Sequence, residues 1–106
     1  MGGKLSRTKG HSFERKIAND LKKFFPMARR QLEYQADVVC GVDIAETGRF
    51  KIQCKCKKSY ASVNTIDEVE CQNNDDIPLL VTKADRKPEM VVMRWKDFLE
   101  LLDTLG

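Results

Sequence analysis

Residues 43–57 read DIAETGRFKIQCKCK, and a turn signal, Glu46-Thr47-Gly48, divides this stretch into two extended runs. From residue 49 to residue 57 polar and apolar side chains alternate without a break. A period of two residues is typical of a strand that buries one face. The stretch therefore predicts a β-hairpin whose second strand packs on a core.

The length of the hairpin loop decides which side chains share a face. A three-residue loop with Gly48 in the last, left-handed position is a common type, and it would pair Asp43 with Lys51 and Ala45 with Arg49. One side of the hairpin would then carry Asp43, Lys51, Gln53 and Lys55. The other side, facing a core, would carry Ile44, Phe50, Ile52 and Cys54. A two-residue loop would instead separate Asp43 from Gln53.

The N-terminal part of the chain predicts an arm followed by a helix. Residues 1–10 are basic and rich in glycine, which favours a flexible arm. Residues 12–25 favour a helix with Ser12 as N-cap and Pro26 as its stop. Its apolar stripe, spaced by three and four residues, is Phe13, Ile17, Leu21 and Phe24.

Further elements follow on both sides of the hairpin. Residues 30–34 fit a short strand or an extended lead-in, and residues 37–44 are rich in β-branched side chains. Thr65 and Glu68 fit a capping box for a second helix, with Ile66 and Val69 facing inward. The predicted ranges after the hairpin are a helix over 65–73, strands over 77–82 and 90–94, and a helix over 96–105. The predicted order is α-β-β-α-β-β-α in one domain of 106 residues.

Charge is distributed unevenly along the chain. Residues 1–58 carry 14 Lys/Arg against 6 Asp/Glu, whereas residues 59–106 carry 5 against 10. A basic half of this kind indicates a surface for a polyanion such as nucleic acid. No apolar run approaches the roughly 18 residues that span a bilayer, and the N-terminus shows no signal-peptide pattern. We therefore expect a cytoplasmic protein.

The outer side of the hairpin carries the groups that phosphodiester cleavage requires. Mg²⁺ or Mn²⁺ prefers oxygen ligands, and the candidates are the Asp43 carboxylate, the Gln53 amide oxygen and the backbone carbonyl of Cys54. Lys55 can hold the scissile phosphate and orient the attacking water. Glu14, from the first helix, can reach the same metal directly or through water.

These residues resemble a known nuclease signature. Asp43, followed after nine residues by Gln53-Cys54-Lys55, is similar to the motif of the PD-(D/E)xK nuclease superfamily, and Val42-Asp43-Ile44 stands where that family often has Pro-Asp-Ile. The segment from Lys9 to Arg15 resembles the opening helix of archaeal-type and phage Holliday junction resolvases. The resemblance covers about residues 9–102.

The resemblance implies a restriction-endonuclease-like α/β core, with a mixed central β-sheet flanked by helices. It implies Mg²⁺-dependent hydrolysis of DNA, with four-way junctions or other branched DNA as substrate, and it implies a homodimer. The catalytic roles would fall to Glu14, Asp43, Gln53 and Lys55. Contacts to DNA are expected from the basic side chains Lys4, Arg7, Lys9, Arg29, Arg30, Lys57 and Lys58.

Several alternatives remain open at this stage. Gln53 replaces the usual acidic ligand, so the chain also fits a weak or inactive nuclease-like DNA-binding module, or a phage nuclease that acts on other DNA. Asp37 competes with Asp43 as the first acid, because it also precedes a β-branched run. The four cysteines permit a zinc site. However, Cys54 and Cys56 fall on the predicted core side, where a free thiol behaves as a small hydrophobe.

Overall fold

The computed structural model describes residues 2–31 and 41–106, with side chains described from residue 9 onward in the first segment. The two α-helices are α1 (Gly2–Leu21) and α2 (Trp95–Leu105). The strands are β1 (Arg29–Arg30), β2 (Ile44–Ala45), β3 (Phe50–Lys57), β4 (Ile77–Ala84) and β5 (Met90–Val92). A 3-10 helix, Val63–Glu68, connects β3 to β4.

Within residues 2–31 and 41–106, five strands form one mixed sheet in the order β1-β2-β3-β4-β5. Strands β1, β2 and β3 are antiparallel neighbours, β4 runs parallel to β3, and β5 is antiparallel to β4. The parallel pair is the longest, with Phe50 opposite Ile77 and Lys57 opposite Ala84. The protein is therefore α/β, with helices beside a mixed sheet.

Two apolar clusters cover the two faces of this sheet. On one face, Phe13, Ile17 and Ala18 of α1 pack with Ile44, Ile52, Cys54 and Val81. On the other face, Ile66 of the 3-10 helix packs with Ala61, Leu80 and the partly buried Val92. Alternation along β3 explains this division, because Ile52 and Cys54 point to α1 while Gln53 between them points away. The predicted core side of β3 is confirmed.

The first helix begins and ends earlier than the sequence indicated. It starts at Gly2, so the predicted flexible arm is wrong for residues 2–10, and the cost of about 1 kcal/mol for Gly10 inside the helix does not interrupt it. It ends at Leu21, and a turn follows before Pro26. Phe24 therefore leaves the predicted stripe and is 71% exposed, while Phe13 and Ile17 are buried as predicted.

The predicted α-helix over 65–73 is wrong. The segment forms a 3-10 helix over Val63–Glu68, capped by the Ser62 hydroxyl, which accepts from the Asn64 N–H, and not by a box of Thr65 and Glu68. β-Branched residues at 63, 65 and 66 disfavour a longer helix. Ile66 and Val69 are nevertheless buried, as predicted. Within the described residues, and with β1 added, the order is α-β-β-β-(3-10)-β-β-α. Residues 32–34 and 37–40 of the two strands predicted before the hairpin lie outside the described residues.

The predicted hairpin register is also wrong. Ile44 lies opposite Ile52 rather than Phe50, which places Ala45 opposite Lys51 and leaves five residues, 46–50, to connect this pair instead of three. Glu46 adopts a left-handed conformation (φ 66°) in addition to Gly48 (φ 62°), and the three-residue loop assumed only the second. The Thr47 hydroxyl donates to the Phe50 carbonyl at 2.6 Å and closes the turn. A shift of two residues keeps each side chain on its predicted face.

Helix α2 covers little of the core. Its apolar side chains Phe98, Leu99, Leu102 and Leu105 are exposed, and its one buried residue is Asp97. The neighbouring strands and α2 otherwise lie within a few residues of their predicted bounds. Among the described residues, no helix is long and apolar enough to cross a membrane.

Candidate active site

Asp43 lies where β2 begins to pair with β3. Its backbone N–H donates to the Ile52 carbonyl at 2.8 Å, and its backbone carbonyl accepts from the Gln31 N–H at 2.8 Å. Its side chain reaches along the same edge of β3, where Oδ2 accepts from the Cys54 N–H at 2.8 Å. The backbone of Asp43 is thus held by Gln31 and Ile52. Its carboxylate is held by the Cys54 N–H.

Burial changes the acidity of this carboxyl. Desolvation raises the pKa of Asp43 to about 6, and the nearby Glu14 charge adds to the increase. The hydrogen bond from Cys54 and the charges of Lys55 and Arg30 act in the opposite direction. A group that titrates close to neutral pH in a buried position is a typical feature of functional sites.

Glu14 joins this site from α1. Its Oε1 accepts from Arg30 Nε on β1 at 2.9 Å, and both side chains are mostly buried. The Arg30 charge also acts on Asp43, where it opposes the increase in the pKa of that carboxyl. The structure brings Glu14, Arg30, Asp43 and Lys55 into one electrostatic group.

Gln53 faces the other side of β3 from Cys54 and is buried. Its Nε2 donates to Glu68 Oε1, at the end of the 3-10 helix, at 3.1 Å. Its Oε1 is buried without a hydrogen-bond partner among the described residues. A buried amide oxygen without a donor is costly, and a cation would satisfy it. The side chain of Gln53 thus contacts Glu68 and not Asp43.

Gly41 permits this arrangement two residues before Asp43. A Cβ at Gly41 would lie 2.2 Å from the Glu68 carbonyl oxygen, and its φ of +76° favours glycine. The lead-in to Asp43 therefore packs directly on the segment that presents Glu68. Asp43, Gln53 and Glu68 belong to one region of the fold.

Comparisons with protein-family models, with curated proteins and with solved structures found no match. The site therefore has to be interpreted from its own chemistry.

The region around Asp43 contains oxygen atoms of the type that divalent cations bind. Carboxylates alone are too few to hold such a cation. Among the described residues, no three His, Cys, Asp or Glu side chains are grouped so as to hold a metal ion. The candidate donors are of mixed type: the carboxylates of Asp43 and Glu14, the unpartnered amide oxygen of Gln53 and a backbone carbonyl. Within a strand the N–H and C=O of one residue point to the same edge. The Cys54 carbonyl therefore points to the edge that holds Asp43, and the donor set fits Mg²⁺ or Mn²⁺.

Of the cysteines described in the structure, Cys54 and Cys56 pack in or against the α1 cluster, whereas Cys71 is exposed. Cys54, Cys56 and Cys71 are free thiols, and Cys54 is buried in the α1 cluster. Burial, together with the Asp43 and Glu14 charges, raises the pKa of the Cys54 thiol strongly. Metal binding needs the thiolate, so this cysteine is disfavoured as a zinc ligand. Cys40 lies outside the described residues.

The basic side chains expected to contact DNA differ from one another in their exposure and in their ion pairs. Lys57 and Lys58 are exposed where β3 ends, and Arg29 and Arg30 lie on β1. Lys9 donates to Asp85 at 2.9 Å, so part of its charge is already compensated. The side chains of Lys4 and Arg7 lie outside the described residues, as does Asp37, the competing first acid.

Sequence reasoning missed two partners in the site. Glu68 was interpreted as a capping residue, and Arg30 only as a contact to DNA. The one signal for Glu68 is Gln53 itself, because an amide in place of an acid can donate to a neighbouring carboxylate. Nothing in the spacing of Glu14 and Arg30 indicates their ion pair.

Proposed function

We propose that this chain is a metal-dependent DNA endonuclease. The observation that supports it most is the Asp43 carboxylate, partly buried and held by the Cys54 N–H, within reach of the charges of Lys55 and Glu14. An acid and an ammonium group on adjacent antiparallel strands, beside unsatisfied oxygen donors, suit the hydrolysis of a phosphodiester. In this proposal the sheet is a restriction-endonuclease-like core.

Asp43, Gln53 Oε1, the Cys54 carbonyl and Glu14 would hold the cation. When bound, Mg²⁺ or Mn²⁺ supplies Lewis-acid stabilisation of the charge that develops on the phosphate. A cation held there would compensate the desolvated Asp43 carboxylate and would satisfy the Gln53 oxygen, which are the two unfavourable groups of the site.

The chain's own residues position the reacting groups. The β3 backbone orients Asp43 through the Cys54 N–H, and Lys55 lies half-buried on the same strand. Its ammonium group can hold a non-bridging phosphate oxygen and orient the attacking water. Arg30 holds the Glu14 carboxylate in place through a mostly buried ion pair. The exposed Lys57 and Lys58 extend the cationic surface along the DNA backbone.

Four-way or other branched DNA is the proposed substrate, in agreement with the sequence resemblance. A junction has near two-fold symmetry and needs paired cuts, so a chain of this size is proposed to act as a homodimer. A second candidate is a nuclease-like DNA-binding module without turnover. It is favoured by Gln53, which leaves the site one negative charge short, and by the Arg30 contact that occupies Glu14.

Cleavage of a labelled four-way junction tests the proposal. We expect the wild-type chain to cut it with Mg²⁺ but not with EDTA, and Asp43→Asn and Lys55→Ala to lose at least about 100-fold in rate. Lys57→Ala, two residues further on the same face, is the matched control and should lose much less. Binding without cleavage would support the binding module, and cleavage that survives Asp43→Asn would refute the site. A linear duplex, run in parallel, tests the preference for branched DNA.

A further inference from the structure

An open cleft of about 280 Å³ lies between α1 and β1, beside the candidate active site. Ala18 and Ala28, which are 3% and 1% exposed, provide small side chains in its lining. The polar side chains around it come from both elements, and they are Arg15, Asn19, Lys22, Arg29 and Arg30. Four cations and no acid line the cleft, so it favours an anion.

The cations of the cleft are not all compensated within the protein. Within the part of the chain whose side chains are described, Arg15 and Lys22 form no ion pair. Lys16, on another face of the same helix, differs: its Nζ lies 2.8 Å from Asp20 and 3.7 Å from Glu89. Acidic side chains thus neutralise the neighbouring lysine, whereas Arg15 and Lys22 have no acidic partner among the described side chains.

The arrangement of the cleft suits a phosphate group. Arg15 and Asn19 are four residues apart on one face of α1, and Lys22 follows three residues later in the turn directly after the helix. Arg30 approaches from β1 and uses its Nε for Glu14, which leaves its terminal nitrogens for another acceptor. Several donors from two rigid elements can surround one tetrahedral anion while small alanines allow close approach.

We propose that this cleft binds a phosphodiester group of a DNA strand through Arg15, Lys22 and the terminal nitrogens of Arg30. The choice of DNA as the source of the phosphate rests on the proposed function. The cationic lining of the cleft is observed independently of that function. Arg30 then links the two sites, because it contacts the bound phosphate on one side and Glu14 on the other. The cleft places the strand next to Asp43 without taking part in hydrolysis.

Binding of a short labelled DNA duplex in EDTA, measured by fluorescence anisotropy over a range of salt concentrations, tests this site. Each cation that contacts a phosphate contributes about 0.9 to the slope of log K against log salt. We expect Arg15→Gln/Lys22→Gln to bind at least about tenfold more weakly, with a slope smaller by about 1–2. Lys16→Gln, the matched control on the same helix, should keep the wild-type slope. A double variant with wild-type affinity and slope would overturn the proposal.

The same measurements separate this proposal from the nuclease proposal. Impaired binding by the double variant, together with a wild-type chain that does not cleave DNA, supports the cleft and rejects the nuclease. Wild-type cleavage together with unimpaired binding by the double variant rejects the cleft alone. Excess inorganic phosphate serves as the second arm: if the double substitution abolishes phosphate binding but leaves duplex binding intact, the cleft is a site for free anions and the proposal is wrong.

Discussion

Asp43 combines an unfavourable electrostatic environment with a fixed position. The Cys54 N–H orients the carboxylate, while burial and the Glu14 charge make its ionisation costly. Such a group lowers the stability of the free protein and gains most from a bound cation. Sites of this kind illustrate the exchange of stability for function.

The first prediction concerns Asp43→Asn in EDTA. The folded protein holds the Asp43 proton up to about pH 6, whereas the unfolded chain releases it near 3.8. The stability of the wild type therefore falls as the pH rises from about 4 to 6 and stays lower above that. At about 1.4 kcal/mol per pKa unit, Asp43→Asn should be up to roughly 3 kcal/mol more stable at pH 7.5. Urea denaturation at pH 4 and 7.5 measures the difference, which should vanish at pH 4.

Asp76→Asn is the control for this experiment. Backbone N–H groups of Gln72 and Asn73 bind the Asp76 carboxylate and lower its pKa, in the opposite direction to Asp43. Asp76→Asn should therefore not stabilise the protein at pH 7.5. Equal stability of Asp43→Asn and wild type at both pH values would contradict the account.

Gln53→Glu tests whether the buried amide belongs to a cation site. In EDTA the new carboxylate would lose its hydrogen bond to Glu68 and face it as a like charge, so we expect a loss of about 1–3 kcal/mol. The pair Gln53→Glu/Glu68→Gln restores one donor and one acceptor and should recover most of this loss.

With Mg²⁺, Gln53→Glu should gain more stability than the wild type. Thermal denaturation with and without Mg²⁺ measures this, and equal gains would contradict the role of Gln53.

At the scale of elements, Gly41 fixes the 3-10 helix against the lead-in to β2. Gly41→Ala places a Cβ against the Glu68 carbonyl and strains a positive φ, so we expect a loss of more than about 2 kcal/mol. Gly48 has a similar φ, but its nearest neighbour is a Phe25 ring carbon at 3.6 Å. Gly48→Ala should therefore cost only about 1 kcal/mol. Equal losses in urea denaturation would show that the Glu68 contact is unimportant.

The sequence predicts those elements whose pattern reflects burial on one face. Alternation in β3 and the spacing of Phe13 and Ile17 predict the cluster between α1 and the sheet. The repeat of apolar residues along each element shows which of its faces is buried. The left-handed Glu46 could not be predicted, since glutamate carries no signal for that conformation, and the register shifted with it. For the site, the neighbourhood of Asp43 and Lys55 agrees with the hairpin pattern. The Glu68 contact joins residues 15 apart across a loop, and no local pattern encodes it.

At the scale of the whole molecule, α2 presents an apolar side to the outside. Trp95 is 70% exposed and its ring lies 5.8 Å from that of Phe98, in line with Leu99, Leu102 and Leu105. A helix face of this kind is larger than the scattered apolar residues of an ordinary surface. A two-fold pair would bury the same face of both copies, as the proposed action on a symmetric junction requires.

We therefore expect the protein to be a dimer by light scattering, and Leu102→Glu to make it a monomer. The matched control is Thr104→Glu, which adds the same charge on the opposite side of α2. A wild-type chain that stays monomeric at every concentration, alone and with junction DNA, would contradict the paired arrangement.

The most direct test of the central claim is a titration of the isotope-labelled protein with Mn²⁺, followed by NMR. A paramagnetic ion broadens the signals of nuclei close to it. We predict selective loss of the amide signals of Asp43, Gln53, Cys54 and Lys55 in the wild type, and their retention in Asp43→Asn. Broadening elsewhere that leaves these four signals sharp would contradict a divalent-cation site at this edge of the sheet.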